Sequence, residues 1–331
     1  MSSATGRVVS LESIKEPVAD ELKTFQRHFR EAMRSPVGLV DLVARYILRQ
    51  KGKRVRPILV LLSAKASGGI TERSYRGATL VEILHTATLV HDDVVDEAET
   101  RRGLASINAV WKNKVAVLMG DYLLARGLLL SLENGDHDFL DSTSTAVKRM
   151  SEGELLQIQK TRHLDLDEET YFRIIADKTA SLLATCTEIG AASATKDAAV
   201  RSEMREFGEL VGMAFQIRDD LLDYLGRRSL LGKPVGLDVK EKKLTLPLIH
   251  ALRQAERKDA RKAISIVKNG ASSKDLAWLM EFVEREGGIR YATEAAGRFA
   301  DDAKRRLSKL PPSPSRTALQ EFVEFVVTRD R

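Results

Sequence analysis

The sequence contains a single cysteine, Cys186, so no disulfide can form within the chain. We expect Cys186 to be a small apolar core residue and not a catalytic thiol. The N-terminal segment lacks the basic region, apolar stretch and small-residue cleavage site of a signal peptide, and no stretch approaches the roughly 18 consecutive apolar residues of a membrane span. These absences predict a cytoplasmic protein in a reducing compartment.

Aromatic residues make up only 5% of the sequence, and signals for β-strands are nearly absent. Helix-forming residues dominate, and the 43% hydrophobic content is enough to bury a large core. No Pro/Gly/Ser-rich linker or change in composition divides the chain. We therefore predict an all-α protein in which residues 1–331 form one antiparallel helix bundle around a central active-site cavity.

Helical periodicity marks most of the chain. The predicted helices cover residues 11–33, a short segment ending near 49, a segment beginning at Pro57, 71 to about 92, 114–132, 139–160, 168–192 and 198–224. Amphipathic, highly charged helices follow Pro247, and we expect them to serve as scaffold.

Neither sign of charge prevails, because 53 Lys and Arg residues oppose 47 Asp and Glu residues for a net charge of +6. The basic residues are interleaved with acidic ones, and no nucleic-acid-binding motif accompanies them. A small polyanionic ligand uses such charge equally well, particularly where cations fall at helix ends and loops. We predict no nucleic-acid partner.

An Asp-Asp-x-x-Asp motif occurs twice, as Asp92, Asp93 and Asp96 and again as Asp219, Asp220 and Asp223. Residues i and i+4 of a helix share a face at roughly 5–6 Å, so the outer carboxylates of each motif can hold one hard cation. A single acidic triplet is more often a solvated helix face or an N-cap. Two copies after apolar segments instead indicate a cavity in which Mg²⁺ bridges to phosphate oxygens.

Cationic residues cluster at the start of the helix that contains Pro57. Lys53, Arg54 and Arg56 oppose the dipole of that helix, so an anion held between them explains the cluster better than helix stability does. A solvated basic loop is the alternative.

Further polar residues stand near the first motif. His85 lies two turns before Asp92 on nearly the same face, and it either points into the same cavity or is a core histidine. Arg101 and Arg102 can provide forked donors to phosphate oxygens.

Lys178 and Thr179 interrupt an apolar, Ala-rich helix, and Gln216 stands three residues before the second motif. A buried lysine needs an anionic partner, whereas a helical lysine can simply extend to solvent. Residues 226–243 are irregular and predict a lid in which Lys233 and the lysines at 240–243 close over a phosphate. The alternative is a basic surface loop.

Taken together, these residues resemble the trans-isoprenyl diphosphate synthases, which are head-to-tail prenyltransferases. The resemblance covers nearly the whole chain. Its segments are Gly52 to Pro57, the His85 segment, both acidic motifs, Arg101-Arg102-Gly103, Lys178-Thr179, Phe215-Gln216, Lys233, Gly236, Asp238 and Thr245-Leu246-Pro247. One departure is Lys242, which stands before Lys243 where the family usually has glycine.

The resemblance implies that three Mg²⁺ ions hold the diphosphate of an allylic substrate. The metal ligands would be Asp92, Asp96 and Asp219, with Asp93, Asp220 and Asp223 completing the acidic walls. That diphosphate would also be bound by Arg101, Lys178 and Lys233, with Thr179, Gln216 and Lys243 among the substrate-binding residues. The diphosphate of isopentenyl diphosphate would be held by Lys53, Arg56, His85 and Arg102.

The implied reaction is ionisation of the allylic diphosphate to a carbocation, attack by the double bond of isopentenyl diphosphate, and loss of a proton. Metal ions and cationic side chains stabilise the departing diphosphate, and the released pyrophosphate can act as the base. The resemblance also implies a homodimer, and release of the product suggests transient membrane contact.

Product length is read from the helix that carries the first motif. Ala87 and Thr88 lie one turn before Asp92, and Leu84 follows on the same face. Family members with short products usually have a bulky aromatic residue there, so these smaller side chains imply an open channel and a long-chain all-trans product. The alternatives are that the small residues only allow close helix packing, and that the product is farnesyl or geranylgeranyl diphosphate.

Three rival functions are a terpene cyclase or head-to-head synthase, a non-catalytic regulatory subunit of the same fold, and a nucleic-acid binder. The second full acidic motif and the basic loop disfavour the first rival. The presence of both acidic motifs disfavours the second, because a regulatory subunit has no need of them.

Overall fold

The computed structural model describes residues 9–50, 52–163, 166–225, 239 and 241–329, and there the fold is almost entirely helical, as predicted. The helices are α1 (Leu11–Lys15), α2 (Ala19–Ala32), α3 (Gly38–Arg49), α4 (Val55–Ala66), α5 (Glu72–Val95), α6 (Ile107–Glu133), α7 (His137–His163), α8 (Glu168–Ile175), α9 (Ser181–Ala194), α10 (Ala198–Leu225), α11 (Leu246–Gln254), α12 (Arg257–Asn269), α13 (Ser273–Arg285), α14 (Gly288–Leu307) and α15 (Pro314–Thr328). Between α5 and α6, strands β1 (Thr100–Arg101) and β2 (Leu104–Ala105) form an antiparallel hairpin.

Three helix boundaries differ from the sequence prediction. Residues 11–33 form two helices, because Pro17 lies in the 3-10 turn Glu16–Val18 between them and has no N–H to continue a helix. Helix α6 begins at Ile107 and not at 114, and it is kinked at Lys112, where φ is 69° and ψ is 164°. The helix predicted at 168–192 is divided by a π-helical turn, Ala176–Ala180.

Two clusters of buried apolar side chains form the core. Helices α2, α4, α5, α9 and α15 enclose most of the first cluster, and α10, α11, α13 and α14 most of the second. Phe299 and Val327 pack against both. That residues 1–331 form one domain stays a prediction. It is supported by Phe299 and Val327, which join the two clusters.

Cys186 is buried in the first core cluster. Burial raises the pKa of its thiol to about 12. The neutral thiol is a poor nucleophile, which agrees with the prediction of a core residue.

Helix α6 is long and apolar, but much of it lies at the surface. An 18-residue window of this helix has a mean hydropathy of 1.6, and only 33% of that window is buried. By length and composition α6 could span a membrane, whereas the lack of a long uninterrupted apolar run in the sequence predicts no span. Core helices of soluble proteins meet the same criteria. Its exposed apolar side chains are Val110, Val117, Leu118, Leu129 and Leu132.

Candidate active site

Both acidic motifs lie near the carboxyl end of a long helix, α5 or α10. Helix carbonyls at this end carry partial negative charge, so acidic side chains there are unfavourable unless a cation joins them. In each motif the first aspartate, Asp92 or Asp219, is exposed, whereas the second, Asp93 or Asp220, is buried. Each motif therefore presents its first carboxylate outward and holds its second against protein atoms; of the third members, Asp96 is exposed and Asp223 is half-buried.

Asp92 lies among other carboxylates. Its side chain reaches solvent, yet neighbouring atoms displace enough water that desolvation raises the pKa of Asp92 to about 6. Lys178 and Arg101 oppose this rise in pKa, while Asp96 and Glu154 add to it. Crowded oxygen ligands of this kind favour a hard divalent cation that supplies the missing positive charge.

The hairpin after α5 turns Arg101 back onto the first motif. Arg101 Nε donates to Asp93 Oδ1 at 2.6 Å, and Nη2 lies 2.5 Å from the same oxygen. The turn between the strands is made by Arg102 and Gly103, whose φ angles of 52° and 81° are left-handed. Arg101, predicted to bind the allylic diphosphate, is thus paired with Asp93 in this structure.

Asp220 is held by two neutral donors. The Tyr171 hydroxyl donates to Asp220 Oδ2 at 2.7 Å, and Gln216 Nε2 donates to Asp220 Oδ1 at 2.7 Å. Gln216 Oε1 in turn accepts a hydrogen bond from the Thr179 hydroxyl at 2.8 Å. The predicted residues Thr179, Gln216 and Asp220 therefore form one hydrogen-bonded chain, to which Tyr171 is an addition.

Asp219 contacts a cation that sequence reasoning missed. Arg329, just after α15, donates through Nη2 to Asp219 Oδ1 at 3.0 Å. The two residues are 110 positions apart in the chain. No local pattern reveals such a contact.

Lys178 and Thr179 lie in the π turn Ala176–Ala180. Such turns often occur at functional sites because they re-aim side chains out of the regular helical register. Lys178 Nζ forms an ion pair with Glu154 of α7 and lies 3.4 Å from Gln157 Oε1. Lys178 combines features of both alternatives, because its side chain is 37% exposed and yet pairs with the carboxylate of Glu154.

Neighbouring helices fix the π turn in place. Arg149 Nε donates to Asp177 Oδ1 at 2.7 Å, and Arg149 Nη2 donates to Glu209 Oε1 at 2.8 Å. On the other side, a Cβ at Gly212 would lie 2.4 Å from Ala180 Cα, so only glycine allows α10 to approach this closely. Because α10 also carries the second motif, this contact holds the π turn against the helix of that motif.

A cavity of about 110 Å³ gathers five of the predicted site residues. Its lining includes Lys178, Thr179, Gln216, Asp220 and Lys243. Lys178 also acts electrostatically on Asp92, so it lies between the two acidic motifs. The structure thus brings the motifs toward one site, as the sequence predicts.

The basic loop approaches the hairpin at Gly52. A Cβ at this residue would lie 2.4 Å from Arg102 Nη1, so glycine makes room for the Arg102 guanidinium. Arg54 is the N-cap of α4 with a left-handed φ of 49°, and Lys53 is exposed. Arg56 Nε is buried and has no hydrogen-bond partner among the described residues.

Two buried groups of α5 lie beneath these arginines. Burial raises the pKa of Glu82, and Arg56, Arg102 and Arg54 oppose that rise. His85 is buried too, and its pKa lies well below the usual value because of burial and the positive charge of Arg56 and Arg102. Without substrate, His85 is therefore neutral near pH 7, and its ring N–H can donate a hydrogen bond to a diphosphate. Glu82 was not predicted.

The residues proposed to control chain length lie one or two turns before Asp92. Ala87 and Leu84 are buried, and Thr88 is half-buried with its hydroxyl bonded to the His85 carbonyl at 2.9 Å. Leu84 Cδ2 would be 3.2 Å from a Cβ at Gly127 of α6, so α5 and α6 approach closely there. The open channel past Ala87 and Thr88 stays a prediction.

Lys233, Gly236 and Asp238 lie outside the described residues, as does most of the predicted lid. Lys243 contacts Glu241 Oε2 at 2.5 Å. Lys242 has a left-handed φ of 58°, a conformation that glycine adopts without steric cost. The family's usual glycine at this position thus has a direct conformational reason.

The carboxylate oxygens of the acidic motifs are suitable ligands for a divalent metal, but in this structure they do not converge on one point. Among residues 9–329 that the structure describes, no three carboxylate, histidine or cysteine groups converge closely enough to hold an ion. Asp93 and Asp219 are each engaged by an arginine, and Asp220 by Tyr171 and Gln216. Oxygen-only ligands suit hard cations, so rearrangement of these contacts would produce a suitable site.

An all-α bundle with paired acidic motifs and a basic loop defines a class of enzymes that act on isoprenyl diphosphates. The family model described as polyprenyl synthetase matches residues 38–283. Octaprenyl diphosphate synthase of Escherichia coli strain K12 is 35% identical over 98% of this chain and 100% of its own length. A short chain isoprenyl diphosphate synthase of Methanothermobacter thermautotrophicus is 34% identical over 95% of this chain and 99% of its own.

A solved structure shows the same fold. The polyprenyl synthase from Caulobacter crescentus CB15, complexed with calcium and isoprenyl diphosphate, matches with a TM-score of 0.90 and 32% identity. The match covers 98% of this chain and 99% of that one. This chain belongs to the polyprenyl synthetase family and is a prenyltransferase.

Proposed function

We propose that this chain uses Mg²⁺ to condense an allylic diphosphate with isopentenyl diphosphate, repeating the addition to give a long-chain all-trans polyprenyl diphosphate. The observation that carries this proposal is the division of cations between two sites. Lys178 acts on Asp92 and lines the cavity with Asp220, whereas Arg54, Arg56 and Arg102 act on the buried Glu82. A diphosphate that must leave needs metal, and one that stays needs only cationic side chains.

The allylic diphosphate occupies the site between the motifs. Asp92, Asp96 and Asp219 would hold the Mg²⁺ ions, which neutralise the diphosphate as it departs. Lys178 turns from Glu154 toward the same oxygens, and Arg101 turns from Asp93. The internal ion pairs described above keep these charged groups balanced until substrate binds.

Isopentenyl diphosphate occupies the basic site. Arg56 and Arg102 offer guanidinium donors, and Lys53 and neutral His85 add an ammonium and a ring N–H. Glu82 stays beneath the arginines and keeps them oriented. The absence of a side chain at Gly52 lets Arg102 reach the loop.

The cavity beside Lys178 also has apolar walls. Leu166, Ile174, Ile175 and Leu244 line it. Such walls exclude water, which would otherwise quench the allylic carbocation. The carbon skeleton thus reacts only with the second substrate, and the released pyrophosphate accepts the proton.

The decisive experiment is product analysis of the purified chain alone. The chain is incubated with Mg²⁺, an allylic diphosphate and labelled isopentenyl diphosphate, and the dephosphorylated products are chromatographed. We expect a ladder ending at a long-chain polyprenol and no reaction with excess chelator. Inactivity of the chain without a second protein would support the regulatory-subunit alternative, and products ending at farnesyl or geranylgeranyl length would support the short-chain one.

Product length is tested at the turn before the first motif. Ala87→Phe places an aromatic ring where a growing chain would descend, so the longest product should shorten. Ala87→Ser adds no comparable bulk and serves as the matched control with unchanged length. An unchanged ladder in Ala87→Phe would refute the open-channel interpretation.

A homodimer is supported by the surface of α6. Leu118, Leu129 and Leu132 are exposed on a helix whose apolar window is two-thirds uncovered, and exposed apolar surface of this kind marks an interface. We propose that α6 packs against a second copy. Leu118→Glu should shift the sedimentation profile toward the monomer; a persistent dimer would place the interface elsewhere.

A cytoplasmic location with transient membrane contact is the remaining part of the proposal. Val37, Leu39 and Leu42 are exposed together near the start of α3, next to Arg34 and Arg45. Apolar side chains with neighbouring arginines suit an anionic bilayer surface, where a long product can be released. Co-flotation with anionic but not neutral vesicles is expected, and equal recovery with both would contradict it.

A further inference from the structure

The end of helix α15 is docked onto the second acidic motif through Arg329. Only 8% of the Arg329 side chain is exposed. Its Nη2 donates to Asp219 Oδ1 at 3.0 Å and to the Phe215 carbonyl at 3.2 Å. The guanidinium carbon lies 3.8 Å from the centroid of the Phe215 ring, in cation–π contact.

The backbone of Arg329 is anchored as firmly as its side chain. Arg218 donates to the Arg329 carbonyl through Nε at 3.0 Å and through Nη2 at 2.8 Å. The Arg329 N–H donates to the Phe325 carbonyl of α15 at 3.0 Å. Phe322 and Val326 of the same helix are buried in the core, so the position of this guanidinium is set by a packed helix.

A fixed positive charge beside Asp219 affects any ion that Asp219 binds. A divalent cation on that carboxylate would lie within a few ångströms of the guanidinium and be repelled by it. Conversely, the ion removes the partner that holds Arg329. Binding of the ion and docking of Arg329 are thus coupled with the same free energy in both directions.

We propose that Arg329 is the resident counter-cation of Asp219 and competes with the divalent metal for this carboxylate. Arg329 is a positioning residue, because it acts on the reaction through Asp219. This inference rests on the proposed assignment of Asp219 as a metal ligand. When the metal binds, the end of α15 loses one of its contacts with α10.

The test measures binding of Mn²⁺ to the full chain in the presence of inorganic pyrophosphate, with electron paramagnetic resonance as the readout. Arg329→Gln removes the competing charge and should tighten Mn²⁺ binding roughly 5-fold or more, within the usual range of coupling between sites. Arg329→Lys keeps the charge and should stay closer to the wild type. Lys304→Gln, which breaks the ion pair of Lys304 with Glu324 of α15, controls for altered helix docking without a charge change near Asp219.

Two further measurements separate competition from a structural role. In an Asp219→Asn background, Arg329→Gln should no longer change Mn²⁺ binding. Amide exchange at residues 325–329 of the wild type should accelerate when Mg²⁺ and pyrophosphate are added. A structural role alone would change melting temperature without these metal-dependent effects.

The inference is overturned if Arg329→Gln binds Mn²⁺ as the wild type does or more weakly while melting normally. In that case the metal assignment of the motifs stands, because wild-type binding is intact. If the wild type binds no Mn²⁺ even with pyrophosphate, the metal assignment itself is wrong and this inference falls with it.

Discussion

The two acidic motifs have the same sequence spacing but different neighbours. The first lies against other acids, with Asp96 and Glu154 raising the pKa of Asp92, and its buried member Asp93 is paired with Arg101. In the second motif the buried aspartate accepts hydrogen bonds from Tyr171 and Gln216, and the outer one contacts Arg329. The positions of the cations are therefore reversed between the motifs.

This difference shows that the motif alone does not assign roles to its members. In both copies the first aspartate faces outward and suits a metal ligand, whereas the second is buried at 2% exposure for Asp93 and 7% for Asp220. Asp93 is engaged through Oδ1 and Asp220 through both oxygens, so these buried carboxylates are better suited to holding their neighbours in place. We therefore expect substitutions at the outer and buried positions to differ in kind.

The largest effects should come from the outer aspartates. Asp92→Ala and Asp219→Ala each remove a proposed metal ligand, so kcat should fall on the order of 100- to 1,000-fold, as for other losses of transition-state charge stabilisation. The melting temperature of Asp92→Ala should stay near that of the wild type, because this side chain is exposed, whereas Asp219→Ala also removes the ion-pair partner of the mostly buried Arg329 and should melt somewhat lower. Asp301→Ala, at an exposed acidic residue of α14, is the matched control.

If only one of the two variants loses turnover at saturating Mg²⁺, the motifs are not equivalent at their outer positions. The two motifs would then differ in metal binding as well as in their neighbours.

The basic loop provides a reference outside both motifs. Lys53→Ala or Arg56→Ala should mainly raise the KM for isopentenyl diphosphate. Each loses a charge-assisted contact with a binding free energy of about 1.5–3 kcal/mol, so KM should rise on the order of 10- to 100-fold. The KM for the allylic substrate should change little. Steady-state kinetics with each substrate varied in turn decide this, and a change confined to the allylic KM would assign the loop to the other site.

Loss of the contacts of the two buried aspartates should lower the free energy of unfolding by different amounts. Asp93→Asn removes the charged partner of Arg101 and should lower the free energy of unfolding by about 2 kcal/mol. Tyr171→Phe keeps the ring but removes one neutral hydrogen bond to Asp220, with a loss of about 1 kcal/mol. Urea unfolding measures both, and equal losses would show that the charge of Arg101 adds nothing at the first motif.

The smallest effect concerns the segments that follow the motifs. Arg102 and Lys242 both have left-handed backbone, so glycine at either position should relieve strain of up to about 1 kcal/mol. Lys242→Gly should raise the melting temperature and leave KM for isopentenyl diphosphate unchanged. Arg102→Gly should raise that KM, and equal KM values in the two variants would remove Arg102 from the binding site.

Sequence reasoning found what depends on local spacing. The i and i+4 aspartates, the cationic helix start at Arg56 and the lone Lys178 in an apolar helix are all visible within a few turns. The all-α prediction is confirmed, and within the described residues the short hairpin with its Arg102-Gly103 turn is a minor addition to it.

The missed residues share a physical reason. Tyr171 meets Asp220 across 49 positions, Lys178 meets Glu154 across 24, and Arg329 meets Asp219 across 110, so each contact depends on helix packing. Glu82 lies on a buried helix face, where a carboxylate is unfavourable unless arginines from other elements compensate its charge. Such partners become visible only when the helices are assembled.

The π turn at Ala176–Ala180 has a consequence for comparing this chain with its relatives. Such a turn amounts to one extra residue in an otherwise regular helix, so the faces before and after it are offset by about 100°. Tyr171 precedes the turn and Thr179 lies within it, yet both reach the polar chain of α10 through Asp220 and Gln216. Deleting Ala176 would give an unbroken helix from Glu168 to Ala194 but turn these two side chains out of phase. A single-residue gap in an alignment at this place therefore marks a change of catalytic geometry, even when every neighbouring residue is identical.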